Sequence, residues 1–221
     1  MRASEKFLQV SLILLLLASS GTAGAAELRV SVIDQNGKPV EDAVAVLEPA
    51  GVSASATSGS VVATMDQVDK QFAPFVLAIQ AGTQVAFPNH DNTRHHVYSF
   101  SPAKQFQLPL YAGDTVPPIV FDKPGIVAIG CNIHDWMLSY IYVTDTPFFG
   151  KTGKGGEVAI TQLPAGSYTA HIWHPALRGP EADTQRTFTL VADEHKALQW
   201  QIALGSPSVQ RRAPLPHSQT Y

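Results

Sequence analysis

Cys131, His134 and Met137 fall within the seven-residue run Cys131-Asn132-Ile133-His134-Asp135-Trp136-Met137, and Cys131 is the only cysteine in the chain. A thiolate, an imidazole and a thioether at this spacing form a soft ligand set that suits copper. A second histidine would complete a His₂Cys site with a weak axial methionine. That histidine is at hand in Arg94-His95-His96-Val97. In a strand, His95 and Val97 share one face while His96 and Tyr98 share the other. Val97 is the natural core residue, so His95 is expected to point inward, with His96 as the alternative. The residues therefore predict one copper ion held by His95, Cys131, His134 and Met137. Cycling between Cu(I) and Cu(II), it would carry electrons.

Each candidate has a plainer reading. Cys131 could be a small buried hydrophobe, or a nucleophile served by a histidine base, although no fitting motif surrounds it. Met137 could fill core space. Zinc suits cysteine and histidine, but a methionine ligand is atypical for it. His90 lies in the polar run Asn89-His90-Asp91-Asn92 and is expected to be exposed. Asn89 and Asp91 either hold the loops beside the metal or cap an ordinary turn. His171, Trp173 and His174 are expected at a surface or domain interface more than at a second metal site. His195 and His217 are expected in solvent. An oxidase or nitrite reductase would need a second copper centre with further histidines, and the chain has no His-x-His or His-Cys-His run. The chain is thus expected not to be an enzyme.

The elements that must position these groups read as β throughout. Segment 28–32 alternates, Asn36-Gly37 is a tight-turn signal, and 43–47 makes a second strand. Segment 51–64 is rich in Ser, Ala and Gly and reads as a loop. Strands are expected at 75–79, 84–87, 95–100, 119–121, 126–130 and 139–143, then at 157–160, 168–173, 188–191 and 198–204. Many short strands at regular spacing indicate sandwiches or barrels, so the fold class is all-β. Two N-terminal strands cannot fold alone, and the late strands make a thin sheet without a partner. Joining the two groups predicts one small sandwich with another inserted in it.

The N-terminus reads as a cleaved secretory signal over residues 1–26. Arg2 and Lys6 precede the apolar stretch 8–18, and Ala23-Gly24-Ala25-Ala26 offers small-residue cleavage sites. The apolar run is shorter than the ~20 residues of a spanning helix, so no membrane span is expected in the mature form. The protein is expected in the periplasm or otherwise exported. In an oxidising compartment a lone thiol is a liability unless something such as a metal holds it. A net charge of −3 with no basic, aromatic-interleaved patch argues against a nucleic-acid partner. Residues 205–221 carry Pro, Ser and Arg without periodicity and are expected to be disordered.

The middle of the chain resembles the cupredoxins, the blue copper proteins. Segment 121–143 matches the ligand loop between two strands in these amicyanin- and plastocyanin-like proteins, with the short C-x₂-H-x₂-M spacing similar to amicyanin, and segment 82–97 matches their first-histidine region. The resemblance implies a Greek-key sandwich over 60–146 and also selects His95. His96 stands where the family commonly has asparagine. The backbone N–H there remains available to the cysteine sulfur. Segments 32–44 and 155–168 resemble the carboxypeptidase regulatory-like, transthyretin-like sandwich, split here into 27–52 and 147–204. The combination is similar to exported methylamine-utilisation proteins. A redox partner in the envelope, a cytochrome or a dehydrogenase, would follow, with electrons leaving at the loop edge of His134 and Ile133, Trp136 and Pro102 forming a docking patch. The competing reading is a copper storage or delivery module with a structural sandwich partner.

Overall fold

Leu28, Val30 and Val32 alternate with polar neighbours and are all fully buried, so one face of the first strand is core from end to end. The computed structural model describes residues 24–51, 62–113 and 116–205. Most of the segment read as a signal (1–23), residues 52–61 of the Ser/Ala/Gly-rich stretch, His217 and the tail from 206 lie outside them. In chain order the strands are β1 (Ala26–Ile33), β2 (Val44–Pro49), β3 (Val62–Thr64), β4 (Asp66–Val68), β5 (Gln71–Ala73), β6 (Val76–Gln80), β7 (Thr83–Ala86), β8 (His95–Ser101) and β9 (Lys104–Tyr111). They continue as β10 (Ile119–Phe121), β11 (Gly125–Gly130), β12 (Leu138–Thr144), β13 (Phe149–Lys151), β14 (Glu157–Leu163), β15 (Gly166–Trp173), β16 (Arg186–Leu190) and β17 (His195–Gln201). A single 3₁₀ turn, Glu181–Thr184, is the one helical element among the described residues, and none of them forms a helix long and apolar enough to cross a membrane. The chain is all-β, built as β-sandwiches.

The first sandwich pairs a β14-β1-β17 sheet with a β13-β2-β15-β16 sheet. Its core joins Leu28, Val30 and Val32 to Ala45, Leu47, Tyr168, Ile172 and Trp200. The Asn36-Gly37 turn forms as expected. Asp34 Oδ1 accepts the Asn36 and Lys38 N–H groups, and Gly37 sits at φ 78°, where a side chain would be strained. Yet the strands on either side of it do not pair. β1 bonds to β14 and β17, and β2 bonds to β13 and β15. Thus both early strands are paired to strands that lie beyond residue 148. Ala26, the last residue of the segment read as a signal, already pairs with Leu163 and is buried.

The second sandwich sets a β10-β7-β3 sheet against a five-stranded sheet ordered β6-β12-β11-β8-β9, with the β4-β5 hairpin alongside. Val85, Phe87, Val97, Phe121, Val127, Ile129 and Ile141 fill it. β9 is a strand that the sequence does not announce. Its Gln105, Gln107 and Pro109 interrupt any apolar run, and it is an edge strand bonded only to β8, where such residues are tolerated. A register shift between His95 and Val97 adds a residue on the β9 side, next to Pro109.

β2 links the two sandwiches because both of its faces are buried. Ala45 and Leu47 face the first core, whereas Val44 and Val46 join Val76, Tyr142 and Trp173 in a third cluster. The Tyr142 and Trp173 rings lie 5.3 Å apart. The Tyr142 hydroxyl donates to Glu181 at 2.6 Å, and burial together with that carboxylate drives its pKa strongly up. His171 Nε2 lies 3.2 Å from the same carboxylate oxygen. His171, Trp173 and His174 therefore sit at an interface between the sandwiches or buried beside it.

Candidate metal centre

Antiparallel pairing brings the candidate ligands together. β11 lies between β12 and β8, and Gly130 at its end pairs with both Leu138 and Tyr98. Because β8 runs antiparallel to β11, the start of β8 lies beside the end of β11. His95 opens β8 and Cys131 follows β11, so residues 36 apart in sequence meet at one end of the sheet. The loop back to β12 is closed by a Met137 N–H bond to the His134 carbonyl at 2.9 Å. That turn brings His134 back over Cys131. A Cβ on Gly130 would stand 3.0 Å from the Tyr98 ring, a tight contact that the ring would have to yield to.

The donor atoms converge. His95 Nδ1 lies 3.2 Å from His134 Nδ1 and 3.8 Å from Cys131 Sγ, and all three donors lie within 4.8 Å of one another. Two nitrogens held at about 2.0–2.1 Å from one ion at a near-tetrahedral angle are about 3.3 Å apart. A sulfur at about 2.3 Å and a nitrogen separated by about 120° at the ion are about 3.8 Å apart. The arrangement fits one small ion with soft and borderline donors. No other group of three His, Cys, Asp or Glu side chains among the described residues meets the same condition.

Burial separates the candidates. His95 is fully buried, Cys131 is 4% exposed and has no disulfide, and Met137 is 2% exposed within the same core cluster as Cys131. His134 is half-buried. Burial, and then the neighbouring His95, hold the His134 pKa below its ordinary value. Both favour the neutral ring, the form that can ligate a metal. His96 falls on the opposite face of β8, tilted against Tyr98 with ring centroids 5.5 Å apart, and its Nδ1 is buried without a partner. The fold thus brings His95, and not His96, to the cluster.

The surroundings are tightly pinned. Asn89 Nδ2 donates to the carbonyls of Thr93 and Tyr111, and Asn89 Oδ1 accepts the Asp91 N–H. Asn89 therefore holds both the 89–93 loop and the end of β9. The Tyr111 hydroxyl donates to the Phe87 carbonyl at 2.6 Å, and burial pushes its pKa up to about 12. Gln67, fully buried, donates to Tyr111 and to Pro88. Nothing in the sequence singles out Gln67, because it lies in a three-residue strand without recognisable alternation. His90 is exposed, as expected, and faces Asp66 at 2.8 Å.

At the surface, Ile133 is 49% exposed on the ligand loop, while Trp136 packs over His134 with centroids 5.0 Å apart. Pro102 does not belong to this patch. It follows β8 at the end opposite His95, and six residue steps of strand correspond to about 20 Å. The expected patch therefore reduces to Ile133 and the outer edge of Trp136.

No protein-family model matches the chain, and no curated protein does. Among solved structures the chain is similar in part to a Cu-containing nitrite reductase (NirK) from Thermus scotoductus SA-01. The identity is 30% over 44% of this chain and 25% of that one, with a TM-score of 0.36. It is also similar in part to a reduced Cu(I) form of an amicyanin mutant, at 19% identity over 45% of this chain and 98% of that one, with a TM-score of 0.34. A purple cupredoxin from Nitrosopumilus maritimus matches at 21% identity over 38% of this chain and all of that one, with a TM-score of 0.33. Each likeness covers less than half of this chain, and the first spans only a quarter of the reductase.

Proposed function

We propose that the protein is an exported mononuclear copper protein that carries single electrons, with His95, Cys131, His134 and axial Met137 as ligands. The observation that carries this reading is the convergence of two imidazole Nδ1 atoms and one thiolate-forming sulfur at ion-sharing distances. Copper bound there would supply a one-electron Cu(I)/Cu(II) couple. The chain's part is to hold the donors still. His95 and Cys131 sit at the ends of paired strands and Met137 is in the core, so little rearrangement accompanies a change of charge. His134 alone reaches the surface, next to Ile133, which suits contact with a redox partner in the envelope through a small apolar face. The choice of a carrier over an enzyme rests on the sequence, which lacks the extra histidine motifs of a second copper centre.

The test is addition of Cu(II) to the apoprotein. A strong thiolate-to-copper charge-transfer band with narrow copper hyperfine splitting, and reversible reduction, supports the carrier. Rapid loss of colour to a Cu(I) form that does not reoxidise would favour storage or delivery. Met137→Gln is expected to retain copper and shift the reduction potential, because an axial thioether binds weakly but tunes the couple. Voltammetry of the two proteins checks this, and an unchanged potential would remove Met137 from the ligand set.

The same reading takes residues 60–146 as a copper domain inserted between the two halves of a supporting sandwich, 27–52 and 147–204. The pairing of β1 and β2 with strands beyond residue 148 supports it. A fragment of residues 60–146 is expected to fold and bind copper. Limited proteolysis that released a stable piece starting near residue 147 would argue for sequential domains instead.

A further inference from the structure

We infer that Asp91 is the positioning residue of the site. Resting on the copper reading above, this assigns it two tasks: fixing which nitrogen of His95 faces the metal, and strengthening that nitrogen as a donor. Asp91 Oδ2 lies 2.6 Å from His95 Nε2, with His95 fully buried and the Asp91 side chain 11% exposed. A carboxylate only accepts hydrogen bonds, so Nε2 must carry the proton. In the neutral ring, Nδ1 is then bare, and Nδ1 is the atom facing Cys131 and His134. A negative partner on the far side of the ring also raises the basicity of Nδ1.

Asp91 is itself clamped. Its backbone N–H is bound to Asn89 Oδ1 at 3.0 Å, and Oδ2 also accepts the Lys70 N–H at 2.9 Å. Lys70 lies in the turn of the β4-β5 hairpin, where Asp69 and Lys70 both have positive φ, 53° and 55°. The carbonyl of Lys70 accepts the Trp136 indole N–H at 3.0 Å. One hairpin turn therefore ties the loop that carries His134 to the carboxylate that orients His95. The two halves of the ligand set, 39 residues apart in sequence, are held in register through a third segment. An ordinary turn cap would not need a carboxylate directed onto a buried imidazole.

Two variants separate the tasks. In Asp91→Asn the amide oxygen can still accept from Nε2, so the tautomer should persist while the charge is lost. In Asp91→Ala both are lost. The first readout needs no metal: ¹⁵N NMR of the apoprotein at about pH 8 assigns the ring protons. Wild type and Asp91→Asn are expected to show His95 protonated at Nε2, and Asp91→Ala a substantial Nδ1–H population. The second readout is Cu(II) affinity, expected to fall about 10–100-fold in Asp91→Ala. The third is the potential. Loss of the charge should weaken Cu(II) more than Cu(I), so Asp91→Asn should raise the potential by about 59 mV for each tenfold selective loss. Hydrogen exchange at the Gln67 amide, which donates to the Pro88 carbonyl and not to Asp91, shows whether each variant keeps the hairpin in place.

A wild-type His95 carrying its proton on Nδ1, or an Asp91→Ala protein with unchanged tautomer and affinity, overturns the assignment. If wild type shows the Nε2 proton and Asp91→Ala loses it, but neither binds copper, the positioning role stands and the copper reading fails.

Discussion

Cys131→Ser is expected to abolish the thiolate-to-copper band and reduce copper affinity by more than the roughly 10–100-fold that a lost outer partner costs. The reason is chemical and local. Cys131 is the only thiol in the chain, and it is 4% exposed at the end of a central strand. A serine hydroxyl is a hard donor that stays protonated at neutral pH, so it offers neither the charge nor the softness of a thiolate. The change removes little volume, and serine should fit the same strand end, so the apoprotein is expected to keep its fold. Visible absorption, electron paramagnetic resonance and an equilibrium copper titration read the effect, with far-ultraviolet circular dichroism as the folding control. A Cys131→Ser protein with the wild-type spectrum would sink the proposed centre outright.

The second large effect separates adjacent histidines. His95→Ala should lose copper affinity by well over the roughly 100-fold upper cost of an outer-shell change. His96→Ala should stay within about tenfold of wild type, because it removes no donor. His95 is fully buried with Nδ1 in the cluster and Nε2 on Asp91. His96 lies on the other face of the same strand against Tyr98, and its buried Nδ1 has no partner to lose. Copper titrations of the two variants decide the order, and apoprotein melting temperatures keep a cavity effect of His95→Ala apart from a ligand effect. If His96→Ala loses copper and His95→Ala retains it, β8 has the opposite register around a metal.

The amino-acid sequence by itself determined what is local. Strand alternation from Leu28 to Val32, and again around Val97, follows from a side-chain period of two, and Leu28, Val30, Val32 and Val97 are all buried. Cys131 and His134 are three residues apart in sequence, so a turn between strands suffices to bring their donors together. The preference for His95 over His96 needs only alternation and a core residue two places on. In each case the relevant physics acts over a few residues.

What only the tertiary structure decided depends on pairings across long sequence separations. β9 is illegible because an edge strand bonded on one side tolerates Gln105, Gln107 and Pro109, which read as loop. The Asn36-Gly37 turn is legible, but the destinations of β1 and β2 are set by apolar faces more than a hundred residues downstream. The resemblance puts Pro102 on the docking patch, whereas strand length puts it at the far end of β8. The contacts of Asp91 with His95 and Lys70, and of Lys70 with Trp136, join residues 4, 21 and 66 positions apart. Asp91 alone reads equally well as a turn cap. Its alignment on a buried imidazole exists only once the β4-β5 hairpin, the 89–93 loop and the ligand loop have packed against one another, because a hydrogen bond is specified by geometry that no spacing in a sequence contains.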